Sequence, residues 1–223
     1  MNKILSASLM CADLMNLQQD VTALQQAGAQ YIHFDFMDGQ FVPNMTFGTA
    51  FLRAYRTINH RLPLDIHIMA YEPESYFDAM EIGAGDVVSF HYEATDHPLL
   101  VINELKKRGA TALLALNPDT PVSVLEPLLA QIDGVVIMTV YPGDSGKPLV
   151  AGSFEKIAQA RQLLDHADSP KILEVDGCVS WVNAPIMSRA GADWFVVGTS
   201  SVFEKRGDFA SAVARFFDCV APQ

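Results

Sequence analysis

The segment Tyr31–Gly39 reads Tyr-Ile-His-Phe-Asp-Phe-Met-Asp-Gly. In an extended strand its side chains alternate, so His33, Asp35 and Met37 share one face while Ile32, Phe34 and Phe36 share the other. Leu64–Met69 repeats the arrangement, with Asp65, His67 and Met69 set against Leu64, Ile66 and Ile68. A third copy sets Glu174 and Asp176 against Leu173 and Val175 and ends at Gly177. Each greasy face needs a cover, and each polar face carries groups that bind metals or move protons. His33, Asp35, His67 and Asp176 together form a mixed nitrogen and oxygen set, better suited to Zn, Fe, Mn or Co than to Mg or Ca. Asp65 and Glu174 lie one layer deeper and read as partners that support the outer four. A hydrogen-bonded polar plug is the competing reading, but four such groups at three strand ends favour a site. His91 stays open between lining a site and packing.

Two carboxylates on separate strands suit one reaction in particular, inversion at a carbon next to a carbonyl. One base must take the proton from one face, and a second acid must return a proton to the other. A divalent ion would stabilise the enediolate formed in between.

Positioning such a set requires parallel strands whose ends meet. Runs of apolar and β-branched residues at Lys3–Ser8, Ala29–Asp35, Leu62–Ile68, Asp86–His91, Thr111–Leu116, Gly134–Val140, Lys171–Val175 and Trp194–Gly198 each read as a strand. Between them, spacings such as Leu14, Leu17, Val21 and Leu24 before Ala27-Gly28 predict helices. So do Ile157, Ala160, Leu163 and Leu164 before Asp168-Ser169-Pro170. Strand then helix, eight times over, favours a closed α/β barrel, the (β/α)8 TIM barrel, whose chemistry sits at the carboxyl ends of the strands. With no linker or change of composition, residues 1–223 read as one domain.

Composition narrows the partners. Only 18% of residues are charged and half are hydrophobic, which is globular rather than disordered. The longest apolar runs fall far short of the roughly 20 residues a membrane span needs. A net charge of −11 repels phosphate backbones, so nucleic acid is not an expected partner. A phosphorylated ligand would have to be held locally, by aimed backbone N–H groups at glycine-rich strand ends. Three cysteines without metal-type spacing, and an N-terminus without a signal-like apolar run, point to a reduced, cytoplasmic setting. Cys11 and Cys178 read as small packing residues.

The stretch YIHFDFMDGQFVPNMTFG (Tyr31–Gly48) closely resembles the signature of ribulose-phosphate 3-epimerases. ASLMCADL, LDIHIM, SFHYEAT, LALNPDTPV, VIMTVYPG, LEVDG and FVVGTS extend the resemblance across nearly the whole chain. It implies a barrel of the ribulose-phosphate-binding type, a metal held by His33, Asp35, His67 and Asp176, and Asp35 and Asp176 as the acid/base pair. It also implies that Met37, Met69 and Met138 cap the enediolate and that Ser8 borders the substrate. Phosphate would be held by amides of Gly143, Ser145 and Gly146, of Gly177, and of Gly198, Thr199 and Ser200. The implied substrate is a ketose phosphate, either ribulose 5-phosphate and xylulose 5-phosphate or allulose 6-phosphate and fructose 6-phosphate, and the implied assembly is a homo-oligomer.

Several positions depart from the family pattern. Asp144 enters a loop that usually reads PGFGGQ, Cys178 stands where glycine is common, and Tyr141 replaces an acidic or amide residue. The MCADL start and the GTS ending look more like allulose-6-phosphate 3-epimerase, a six-carbon branch. A phosphosugar decarboxylase or aldolase on the same barrel is an alternative, but Asp35-Phe36-Met37-Asp38 lacks the lysine of the related decarboxylases. A non-catalytic phosphosugar-binding protein is a third reading.

Overall fold

The computed structural model describes residues 2–58, 62–143, 146–205 and 207–221. Eight parallel strands, β1 (Ile4–Ser8), β2 (Tyr31–Met37), β3 (Leu64–Met69), β4 (Val87–His91), β5 (Thr111–Leu116), β6 (Gly134–Met138), β7 (Ile172–Asp176) and β8 (Trp194–Val197), close into a barrel in sequence order. The strand runs expected from the sequence fall on all eight. Among the described residues six α-helices surround them: α1 (Leu17–Ala27), α2 (Thr49–Ile58), α3 (Pro98–Lys107), α4 (Ser153–Leu164), α5 (Asn183–Arg189) and α6 (Phe209–Val220). The chain is a (β/α)8 TIM barrel.

Two of the eight connections differ from the α-helices the spacing predicts. After β3 the chain forms a short 3-10 helix at Pro73–Tyr76, and after β5 another at Val122–Leu128. Pro127 lies inside the second, and without an N–H to donate it cannot extend a regular α-helix. Elsewhere the predicted stops hold. Gly28 ends α1 in the left-handed conformation at φ 97°, with Leu17, Val21 and Leu24 buried beneath the helix.

Alternation along the strands builds two apolar layers. Ile32, Phe34, Phe36, Ile66, Ile68, Leu173 and Val175 face outward into the layer shared with the helices. Inside the barrel a smaller group, Val87, Leu113, Ala115, Val136, Met138 and Trp194, fills the lumen. The register of β2 on β3 pairs His33 with Asp65, Asp35 with His67 and Met37 with Met69, so matching faces line up rung by rung. On the other side Met138 of β6 pairs with Asp176 of β7.

Closing this barrel depends on one absent side chain. A Cβ at Gly134 would lie 2.5 Å from the Ile172 carbonyl oxygen and 2.8 Å from Leu113 Cδ2, squeezed between β5 and β7. Gly134→Ala is therefore expected to cost about 1–3 kcal/mol of overpacking. Thermal unfolding checks this, since each kcal/mol moves the midpoint of a chain this size by roughly 2–4 °C. An unshifted midpoint would contradict the close approach.

Candidate active site and metal centre

The polar faces of β2, β3 and β7 converge at the carboxyl end of the barrel. His33 and His67 are fully buried, Asp35 is 5% exposed, and the Asp176 side chain reaches the surface of the mouth at 15%. One donor atom from each of the four lies within 4.8 Å of the other three. His33 Nε2 is 3.2 Å from Asp35 Oδ1 and 3.9 Å from Asp176 Oδ2, and His67 Nδ1 is 3.8 Å and 3.3 Å from the same two oxygens. Bonds of about 2.0–2.2 Å to a tetrahedral ion set neighbouring ligands roughly 3.3–3.6 Å apart. The observed edges bracket that spacing. His67 Nδ1 is buried without a hydrogen-bond partner, a lone pair or a proton with nowhere to go. The four residues could hold a metal ion.

Electrostatics point the same way. Burial opposes a charged His33, but the carboxylates of Asp65 and Asp35 outweigh it and hold the imidazole well above its usual pKa. Burial alone would also raise Asp35. His33, His67 and the Ser8 hydroxyl reverse that and keep its carboxyl below the ordinary range. A cluster of buried carboxylates that leans on an imidazole proton for positive charge is one that a divalent cation would suit.

The next layer holds the imidazoles in place. His33 Nδ1 lies 2.6 Å from Asp65 Oδ2, which also accepts from Ser6 Oγ at 2.7 Å. Burial and the Asp65 charge push Glu174 well above the carboxylate range, whereas His33 outweighs burial at Asp65 and keeps it low. The pair is thus biased toward the proton on Glu174 and the charge on Asp65. The two deeper acids named from the sequence do sit one layer below the cluster.

His91, at the end of β4, is also buried, with its Nε2 2.9 Å from His67 Nε2 and its Nδ1 3.3 Å from Glu93 Oε2. Burial lowers its pKa to about 4, so the ring is neutral. Burial alone would raise Glu93, but hydrogen bonds from His91 and Thr120 bring it down to about 2. Phe41, on the loop after β2, covers the His91 ring at a centroid distance of 4.8 Å.

Beside the cluster opens a cavity walled by Ser8, Asp35, Met37, Met69, Met138 and Asp176 on the barrel side. Gly143, Gly146, Gly177, Gly198, Thr199 and Ser200 complete its rim. Every substrate-facing residue expected from the sequence lines this cavity except Ser145, which with Asp144 lies outside the described residues. Ser8 Oγ donates to Asp35 Oδ2 at 3.1 Å and makes no side-chain bond that caps the turn after β1, so the serine serves the acid. Met37 and Met69 pack with Val42 and against Met10 and Phe41. Sequence reasoning did not single out Met10, Val179 or Val196 as wall residues, and an apolar residue on a turn carries no signal of its own.

The departures from the family pattern separate into two kinds. Tyr141 is not among the residues walling the cavity, and its hydroxyl donates instead to Asp119 at 2.7 Å. Cys178 does line the cavity, at φ 45°, the left-handed region that glycine enters freely. A side chain there costs about 1–3 kcal/mol, offset by Asn183 Nδ2 and Ser180 N, which both donate to the Cys178 carbonyl. Cys11 is buried against the position where a Cβ on Gly198 would sit, and burial raises its thiol pKa, consistent with a packing role.

A closed parallel barrel with a histidine and aspartate cluster at its strand ends defines a (β/α)8 protein with a candidate metal-assisted active site. The family model described as "Ribulose-phosphate 3 epimerase family" matches residues 4–203, and the chain belongs to that family. It is 37% identical over 194 residues to a ribulose-phosphate 3-epimerase of Bacillus subtilis, covering 86% of this chain and 89% of that one. It is 39% identical over 213 residues to the chloroplastic ribulose-5-phosphate-3-epimerase of Arabidopsis thaliana, covering 94% of this chain and 74% of that one. Among solved structures, a 3-hexulose-6-phosphate synthase superposes with a TM-score of 0.66 at 14% identity, over 99% of this chain and 100% of the other. Orotidine 5'-phosphate decarboxylase from Pyrococcus horikoshii superposes at 0.64 and 13%, over the same shares. Those two likenesses show the fold alone.

Proposed function

We propose that the protein inverts C3 of a phosphorylated ketose, interconverting ribulose 5-phosphate and its C3 epimer, with Asp35 and Asp176 as the two proton carriers. The observation that carries this reading is the meeting of the two aspartates, from β2 and β7, beside two buried imidazoles at the mouth of one cavity. His33, Asp35, His67 and Asp176 would hold a divalent transition ion, Zn, Fe, Mn or Co, given two imidazoles among four donors. When bound, such an ion supplies Lewis-acid stabilisation for charge developing on the carbonyl oxygen.

In the forward direction one aspartate takes the C3 proton, and the C–H electron pair moves into an enediolate. The other aspartate then delivers a proton to the opposite face, leaving C3 inverted and the two acids with exchanged protonation states. Ser8, bonded to Asp35, orients that carboxyl. Met37, Met69 and Met138 present polarisable, apolar surface that keeps water from the reacting face. The backbone amides of Gly143, Ser145 and Gly146, of Gly177, and of Gly198, Thr199 and Ser200 would receive the phosphate, the local capture that an acidic chain requires. We place the reaction in a reducing cytoplasm, consistent with three free cysteines. No described helix is long and apolar enough to cross a membrane.

Incubation with ribulose 5-phosphate in heavy water tests the assignment. Deuterium is expected at C3 of both epimers as they equilibrate, and absence of C3 exchange would leave a binding protein. The names of the relatives favour the pentose, whereas the departures from the family pattern at Asp144 and Cys178 favour a different sugar end. Turnover measured side by side on ribulose 5-phosphate and allulose 6-phosphate is expected to favour the pentose. Dominant turnover of allulose 6-phosphate would move the protein to the six-carbon branch.

A further inference from the structure

We propose that Glu93, acting through His91, fixes His67 as the Nε2–H tautomer and so keeps the His67 Nδ1 lone pair aimed at the candidate metal position. The proposal rests on the reading that His33, Asp35, His67 and Asp176 hold a metal.

A neutral imidazole carries its proton on one nitrogen, and its neighbours decide which. An ionised carboxylate can only accept. Glu93 Oε2 lies 3.3 Å from His91 Nδ1, so that nitrogen must bear the proton, and His91 Nε2 is left with a lone pair. The lone pair faces His67 Nε2 at 2.9 Å, so His67 must donate from Nε2. His67 Nδ1 is then bare, and it is the nitrogen that lies 3.3 Å from Asp176 Oδ2 and has no hydrogen-bond partner. The opposite arrangement would set a bare His91 Nδ1 against a carboxylate and put a proton on His67 Nδ1, where a metal must bind.

Glu93 is held rigidly enough to impose this order. Its Oε1 accepts from Asn117 N at 2.9 Å and from Thr120 Oγ1, both on the loop after β5, leaving Oε2 for His91. The two imidazoles lie 5.0 Å apart between centroids and 22° apart between planes, and Phe41 closes the outer side of His91. His33 meets a direct counterpart of this arrangement, with Asp65 at its Nδ1. The two metal-facing histidines thus reach a carboxylate by different routes, one directly and one through a second imidazole. Glu93 and His91 are positioning residues in this scheme, since neither faces the four-donor cluster.

The test compares wild-type protein with His91→Leu, His91→Gln and Glu93→Ala. Long-range proton–nitrogen NMR of the metal-free proteins reads the His67 tautomer, and zinc titration against a chromogenic chelator reads affinity. Wild type is expected to show the Nε2–H form. In His91→Leu the acceptor is gone, so the His67 proton should move to Nδ1 toward Asp176, and zinc affinity should fall by about 10–100-fold. His91→Gln restores a carbonyl acceptor and should recover both the Nε2–H form and wild-type affinity, which a merely space-filling role would not predict. Glu93→Ala should populate both tautomers and weaken zinc binding, and it serves where His91→Leu does not fold. Nε2–H His67 with wild-type zinc affinity in His91→Leu, or in Glu93→Ala, would overturn the proposal. Failure of wild type to bind one equivalent of zinc would instead overturn the four-residue metal reading, because the tautomer is read without metal.

Discussion

Asp176→Asn is expected to slow epimerisation by at least about 10²–10⁴-fold, the usual worth of a positioned proton carrier, or roughly 3–5 kcal/mol of barrier. Asn keeps the shape of the side chain and removes the one property a base needs. Asp35 remains, still bonded to Ser8. If each aspartate serves one face of C3, the variant should exchange the C3 proton of one epimer with solvent without inverting it, and leave the other epimer untouched. The measurement is NMR of each epimer separately in heavy water, at a metal concentration high enough to compensate for a weakened ligand set. Equal exchange of both epimers would mean that Asp35 alone reaches both faces, and a wild-type rate would remove Asp176 from the chemistry.

Much of this site could be read before any coordinates because a strand writes its two faces into alternate residues. His33, Asp35, His67 and Asp176 stand out since each interrupts a run whose other face is Ile, Phe, Leu or Val, and only the lumen of a barrel can take such groups. Those outward residues do pack beneath the helices. The same logic located Asp65 and Glu174 one layer down, because two residues along a strand is one step along the same face.

What alternation does not encode is any partner on another loop. His91 could not be settled between packing and lining from its own strand, and Glu93 carries no signal, since a glutamate in a polar turn is the commonest of surface residues. Their meaning comes from Asn117 and Thr120, 24 and 27 residues further along, which pin the carboxylate. Tyr141 misleads for the same reason. It sits next to Pro142 and Gly143 in sequence, yet its hydroxyl is drawn away to Asp119 and it leaves the cavity wall. The two 3-10 connections were hidden by apolar spacings compatible with helix, and the proline at 127 was the one local mark against it.

Stripping the metal is the second change with a large expected effect, and it should be felt in two independent ways. Dialysis against a strong chelator is expected to abolish epimerisation. Zn, Fe, Mn or Co should restore it, whereas Mg or Ca at equal concentration should not, because two of the four donors are imidazoles and hard cations prefer oxygen. Stability should fall as well. Without a cation, the buried Asp35 carboxyl has the imidazole of His33 as its closest source of positive charge, at 3.2 Å. An ion present at a thousand times its dissociation constant adds about 4 kcal/mol to the folded state. For a chain this size that is roughly 8–16 °C in the unfolding midpoint. Full activity at less than a tenth of an equivalent of bound metal would sink the metal-assisted reading. A lowered midpoint with activity retained would keep the ion but make it structural, leaving Asp35 and Asp176 to move the C3 proton unaided.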